Sequence, residues 1–360
     1  MKSKREITKI LEKAENGTRI SEEEASALFQ CQDLLLLGDC ANTIARKKNG
    51  AIVSYIVDRN INYTNICTAS CAFCAFSRKI GHPEAFLLTY DEIEKKVVEM
   101  VDLGGTQVLL QGGLHPELPL EWYTELISLM KEKFPRVVFH AFSPPEILNL
   151  AKISKKDPWE VITALKEAGW QSMPGGGAEI LAEQARLKMG KTKATTDEWL
   201  DIMELCHQAE IGTTATMMFG HVETKENRIE HFSRLRKLQD RTGGFRAFIP
   251  WIFQPGNNPL GKKITHKATS FDYLQTLAVS RIFLDNFQNI QGSWVTMGKK
   301  VGQLSLFFGA NDLGSTMIEE NVVSAAGCAH TMDEQDMIYL ISDAGFTPLK
   351  RDTFYSYHPD

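Results

Sequence analysis

The chain has 360 residues, of which 43% are hydrophobic and 24% charged, enough apolar material for a sizeable core, so intrinsic disorder is excluded as its main state. Forty basic and 45 acidic residues leave a net charge of -5, which argues against a dedicated nucleic-acid binder. No run approaches the roughly 18 apolar residues of a membrane-spanning helix, and the basic start MKSKREITKILEKAENG has no apolar stretch behind it, so the chain reads as cytoplasmic.

Residues 1–48 read as helices. Ile20, Ala25, Leu28, Phe29, Leu35 and Leu36 recur near helical spacing, and Ser21 with Glu24 forms a capping box. Residues 51–63, AIVSYIVDRNINY, are rich in β-branched and aromatic side chains and predict a strand or short hairpin. Short apolar strands at 107–110, 137–140, 213–218 and 245–250 then alternate with amphipathic helices at 90–103, 120–134, 158–168, 196–209 and 225–240. Such alternation implies a parallel α/β sheet, and the number of units favours a full or partial TIM-type (β/α) barrel over a doubly wound open sheet. Past Pro255, GNNPLGKK is a loop and 270–286 a helix. A short strand follows at 291–295, then helices at 299–307 and 334–344 and a final strand-like RDTFYSY. The division expected is a helical segment packed on the barrel (1–50), the barrel core (51–290), and an extension closing the barrel and substrate site (291–360).

Seven cysteines are present, and three of them, Cys67, Cys71 and Cys74, fall within eight residues just after the first predicted strand. In a barrel that position is the rim where active sites are built. Cys31, Cys40, Cys206 and Cys328 are scattered and read as small buried residues. Three thiolates spaced C-x3-C-x2-C suit three irons of a [4Fe–4S] cluster whose fourth iron stays open, since four-cysteine ligation is the usual arrangement. A zinc site would need a fourth ligand nearby, and the next histidine, His82, lies in an RKIGHPE loop. The zinc alternative is a metal-stabilised barrel acting as a hydrolase or binding module.

With Phe73 before the last cysteine, this stretch resembles the radical S-adenosylmethionine superfamily. The resemblance implies a barrel, a cluster whose open iron is chelated by the methionyl group, and one-electron cleavage to a 5′-deoxyadenosyl radical. It further implies a one-electron donor such as a flavodoxin or ferredoxin. Gly112 and Gly113, in QGGLHP, would cradle the methionyl amine, as glycines admit a ligand close to the backbone. PGGGAE at 174–179 suggests another cofactor-lining loop, with Glu179 on a ribose hydroxyl or simply favouring a helix N-terminus.

QGGLHPEL, HAFSPPEI, TTATMMFGHVET and FIPWIFQP resemble the branch that makes menaquinone and deazaflavin precursors. Within it, SMPGGGAEIL, LQDRTGGF and GSWVTMGKKVGQLSLFFGANDLGSTMIEENVVSAAG are most similar to the enzymes that cyclise dehypoxanthinylfutalosine. The sister enzymes that make aminofutalosine or transfer a hydroxybenzyl group share most of these motifs. The implied reaction takes hydrogen from C4′ of the ribose, attacks the benzoate ring to form a spirocycle, and restores aromaticity by losing an electron and a proton. His221 is the leading candidate for a polar contact to substrate or for a base. His115 is a candidate for the cofactor or substrate loop. Residues 309–316 read as a polar loop that the resemblance places over the substrate, with Asn311, Asp312 and Ser315 gripping it, or with Asp312 and Ser315 capping a helix. Arg78, Arg241 and Arg246 are candidate partners for the benzoate.

Overall fold

The computed structural model describes residues 3–190 and 194–357. Three helices lead: α1 (Lys4–Glu15), α2 (Glu22–Phe29) and α3 (Leu34–Asn49). Ser3 with Glu6 and Ser21 with Glu24 close capping boxes that satisfy amides left unpaired at the starts of α1 and α2. Next come β1 (Ile52–Ile56) and β2 (Asp58–Asn62), separated only by Val57. Residues 51–63 are therefore two consecutive segments of one bent strand, and no hairpin forms.

Strand–helix units follow: α4 (Tyr90–Asp102) and β3 (Gln107–Gln111), then α5 (Leu120–Lys133) and β4 (Val138–Ala141). Two helices, α6 (Pro144–Ser154) and α7 (Pro158–Glu167), lead to β5 (Ser172–Met173). Another pair, α8 (Glu183–Met189) and α9 (Thr196–Gln208), leads to β6 (Gly212–Phe219). Then come α10 (Lys225–Thr242) and β7 (Phe245–Ile252), and α11 (Ser270–Phe283) and β8 (Asn289–Ile290). The chain finishes with α12 (Trp294–Ser305), β9 (Asp312–Ser315), α13 (Glu334–Asp343) and β10 (Thr347–Lys350). Of the helices without a sequence expectation, α6 starts on Pro144 and Pro145, which are tolerated in a first turn because no N–H is needed there.

Strands β2 to β8 form one parallel sheet in chain order. Its far edge returns to the first strand. Gln291, just past β8, bridges Asp312 of β9, and β9 pairs in parallel with β1. Beyond β9, the Thr316 amide donates to Ile56 O at 3.1 Å and the Ile318 amide to Asp58 O at 3.2 Å, which carries the contact up to β2. The α/β barrel expected from the alternation is thus present, closed through the C-terminal region. β10 pairs with β1 on its other side. Outside, α3 packs on α11 and α2 on α10.

Three expectations for the C-terminal part are corrected. Residues 309–316 are not a loop between helices; they contain β9, and every residue of that strand is buried. The strand expected at 291–295 is the two-residue β8, and α12 begins at Trp294. RDTFYSY is not a strand: β10 ends at Lys350 and the chain folds back so that Arg351 pairs antiparallel with Tyr357. In the first two cases the pairing strand, β1 for β9 and β7 for β8, is far away in sequence.

Alternate residues of a strand face the same side. Inward positions here are polar on several strands: Asp58, Asn60 and Asn62, Gln107 and Gln111, Thr214 and Thr216. A barrel filled for stability carries layers of branched apolar residues instead. These side chains line a cavity of about 280 Å³.

Candidate active site

The cysteine loop leaves β2 and is fixed by backbone bonds to separate parts of the barrel. Cys67 N donates to Arg78 O (2.9 Å), Thr68 N to Leu114 O after β3 (3.0 Å), and Ala72 N to Met189 O at the end of α8 (2.7 Å). Leu260 N, beyond β7, donates to Ala72 O at 2.8 Å. Within the loop the Arg78 guanidinium gathers the carbonyls of Ala75, Phe76 and Ser77 and also donates to Glu84. Cys67, Cys71 and Cys74 are half-buried. Burial pushes the Cys67 thiol up, amides of Leu114 and Ala69 act oppositely, and a charge on Cys74 would raise it further.

Among the described residues, no three Cys, His, Asp or Glu side chains converge on one ion. The donor set is three thiols of one loop without a carboxylate or imidazole to complete a tetrahedron, so it does not suit a lone zinc. It does suit a group that offers each sulfur its own metal atom. The Leu114 amide donates to Cys67 Sγ at 3.3 Å, the kind of bond that tunes an iron–sulfur centre.

The glycines after β3 are required by this approach. A Cβ on Gly113 would lie 2.2 Å from Ile66 O and 2.9 Å from Cys67 Cβ, and one on Gly112 would enter the Tyr63 ring at 2.3 Å. Their amides are already engaged: Gly113 N donates to Thr64 O (2.9 Å) and Gly112 N to Glu146 Oε1 (3.1 Å). Glu146, a residue the sequence reading passed over within HAFSPPEI, also accepts from Tyr63 Oη at 2.7 Å and from Ser143. Burial raises its pKa to about 7. A buried carboxyl that keeps its proton up to near neutral pH thus braces the glycine loop from below.

Glu179 is buried at positive φ (37°) and lines the cavity. Buried Arg186 ties its loop by donating to the carbonyls of Gly177, Ala178 and Ile180. Met218 N donates to Glu179 O at 2.8 Å, linking that loop to the end of β6. Phe73 packs partly buried against the core beside the last cysteine.

His221 follows β6 and so stands at the same barrel end as Cys67, Gly112 and Glu179, but outside the central cavity. Its Nε2 bonds Met218 O (2.9 Å), and its Nδ1 accepts from Val222 N (2.7 Å) with Glu223 Oε2 at 3.1 Å. Burial lowers its pKa, opposed by Glu223. Burial pushes the Glu223 carboxyl up, but His221, Arg228 and two backbone amides outweigh it and hold the pKa below the usual value. Both imidazole nitrogens are therefore committed to the turn, which makes His221 a positioning residue of the rim. His115 likewise uses Nδ1 to accept from Glu117 N and Leu118 N, each at 3.1 Å.

Of the three candidates in 309–316, Ser315 lines the cavity. Asn311 does not: its Oδ1 accepts from Arg281 and Ile290 N, and its Nδ2 donates to Asn289. Asp312 is fully buried, paired with Arg351 and bonded by Ser54 at 2.6 Å. Both hold the barrel closed, and neither Asp312 nor Ser315 caps a helix. None of Arg78, Arg241 or Arg246 lines the cavity. Arg78 serves the cysteine loop, Arg241 pairs with Glu204 on the surface, and Arg246 stacks over Phe354. The arginine among the lining residues is Arg351, which is paired with Asp312.

A radical SAM superfamily profile matches residues 61–235, and a CofH/MqnC C-terminal region profile matches residues 242–360. The chain is 46% identical to a cyclic dehypoxanthine futalosine synthase of Halalkalibacterium halodurans, covering 97% of this chain and 94% of that one. It is 40% identical to an aminodeoxyfutalosine synthase of Thermus thermophilus, covering 96% and 94%. Among solved structures, methylornithine synthase superposes with a TM-score of 0.75 at 17% identity, covering 94% of this chain and 97% of that one, which supports the fold.

Proposed function

The chain belongs to the radical SAM superfamily, in the branch with a CofH/MqnC C-terminal region, and we propose that it cyclises dehypoxanthinylfutalosine in menaquinone biosynthesis. The observation that carries this choice is the 46% identity over nearly the whole chain, against 40% for the aminodeoxyfutalosine synthase. The enzyme uses a [4Fe–4S] cluster and S-adenosylmethionine, which when bound supply a 5′-deoxyadenosyl radical that can take an unactivated hydrogen. An electron carrier such as a flavodoxin or ferredoxin provides the reducing electron. No described helix is long and apolar enough to cross a membrane.

Cys67, Cys71 and Cys74 would hold the cluster, and the loops of Gly112–Gly113 and Glu179 would line the cofactor pocket beside it. The polar barrel interior takes the substrate. Enclosure there serves two ends. It keeps C4′ of the ribose and the benzoate ring in one near-attack geometry, and it keeps water from a reactive carbon centre. The net change on the substrate is loss of hydrogen at C4′, a new bond from that carbon to the ring, and loss of a ring electron and proton.

The test is anaerobic incubation of reduced, reconstituted protein with S-adenosylmethionine and, in turn, dehypoxanthinylfutalosine and the substrates of the two sister reactions. Mass spectrometry should find the cyclic product from the first. A product from a sister substrate alone would reassign the chain within its branch.

A further inference from the structure

Two acceptors on the inner face of β2 lack partners. Asn60 Oδ1 and Asp58 Oδ1 are buried without a hydrogen bond, in residues only 5% and 2% exposed, and both residues line the cavity. The other Asp58 oxygen accepts from Gln107 Nε2 at 2.8 Å, which fixes the carboxyl from the adjacent strand, and Ser315 and the Met317 backbone also stabilise its charged form. Being two apart on one strand, the residues face the same way, roughly 7 Å from each other along it.

Leaving a buried acceptor unpaired is costly, because it has given up its water without a replacement. One such atom is an accident of packing; two at successive inward positions make a surface complementary to a ligand that brings donors. The benzoate end of the substrate offers none when ionised. The ribose offers hydroxyls. We propose that Asn60 and Asp58 form a sugar-hydroxyl site that grips the ribose of the substrate. The inference rests on the reading that dehypoxanthinylfutalosine is that substrate. The strand explains why the sugar belongs there: β2 runs on from Asn60 through Asn62 directly into the loop of Cys67. A ribose held on this strand lies beneath the cysteines, and the hydrogen to be removed is on the ribose.

The experiment compares reconstituted wild type, Asn60→Leu and Asp58→Asn, each checked for iron content and melting temperature. Dissociation constants are measured for dehypoxanthinylfutalosine and its 2′-deoxy and 3′-deoxy analogues by quenching of tryptophan fluorescence, since Trp251 lines the cavity. In wild type, loss of at least one hydroxyl should weaken binding about tenfold. Asn60→Leu should bind the intact substrate about tenfold more weakly and discriminate that analogue by less than about twofold, because the lost partners then belong to one interaction. The near-isosteric Asp58→Asn should cut discrimination about threefold through loss of a charge-assisted bond. Variants that discriminate both analogues as wild type does would overturn the site while leaving the substrate assignment standing. Wild type that binds only a sister substrate would overturn the assignment, and the site with it.

Discussion

The backbone amide of Leu114 lies 3.3 Å from Sγ of Cys67 and donates to it, so the loop that ends β3 touches the first cysteine directly. That contact exists because Gly113 has no side chain. Gly113→Ala would place a Cβ 2.2 Å from Ile66 O, against backbone that cannot swing aside. The expected outcome is separation of the two loops, with about 1–3 kcal/mol of overpacking strain and loss of most cluster iron. Iron per chain after reconstitution is the measurement. Full occupancy with normal deoxyadenosine formation would show that the approach is dispensable.

Cluster binding should divide the seven cysteines. Cys67→Ala, Cys71→Ala or Cys74→Ala should each abolish deoxyadenosine production and the brown colour. Cys31→Ala, Cys40→Ala, Cys206→Ala and Cys328→Ala should keep both. Cys40 and Cys206 are buried in the core, and burial pushes their thiols well above the usual range, which suits packing and not ligation. An essential role for any of the four would contradict a three-thiol site.

Glu146 makes stability depend on pH with a definite sign. Burial raises its pKa from 4.5 to about 7, so the native chain keeps a proton that the unfolded chain releases. Stability therefore falls as pH rises through that window and levels off above it. The total is roughly 3 kcal/mol, and Glu146→Gln should remove it while retaining an acceptor for Tyr63 and Gly112. Denaturant titrations of both proteins between pH 4.5 and pH 7 read the difference directly. Parallel curves would place the carboxyl's ionisation outside this window.

Much of the fold was legible because it is local. The capping box of Ser21 with Glu24, and the apolar runs of β6 and β7, announce themselves within a few residues. The cysteine triplet is equally local. What was not legible depends on closure of the ring. Asp312 sits on a strand because β1, some 258 residues earlier, pairs with it and Arg351 neutralises it, and neither partner is near in sequence. Asn60 and Asp58 read as ordinary members of a strand until the barrel turns their face inward. The alternation of polar residues in DRNIN and at both ends of QVLLQ was the available signal. His221 was located at the correct barrel end, but its hydrogen bonds within its own turn were not foreseeable from its type.

His221→Ala would strip Met218 O and Val222 N of their partners and loosen the turn held by Glu223 and Arg228. The expected loss is about 1–2 kcal/mol of stability. Because Met218 also anchors Glu179, the ratio of deoxyadenosine to cyclised product should rise as the rim loses its shape. An unchanged ratio together with unchanged stability would remove His221 from the rim's framework.

The central claim is that this barrel directs hydrogen abstraction to the ribose of dehypoxanthinylfutalosine. Substrate carrying deuterium at C4′, incubated with the reduced holoenzyme and S-adenosylmethionine, tests it most directly. The account predicts one deuterium in the methyl group of 5′-deoxyadenosine and a product that has lost that deuterium and one ring hydrogen. Unlabelled deoxyadenosine, with the substrate recovered intact, would contradict it.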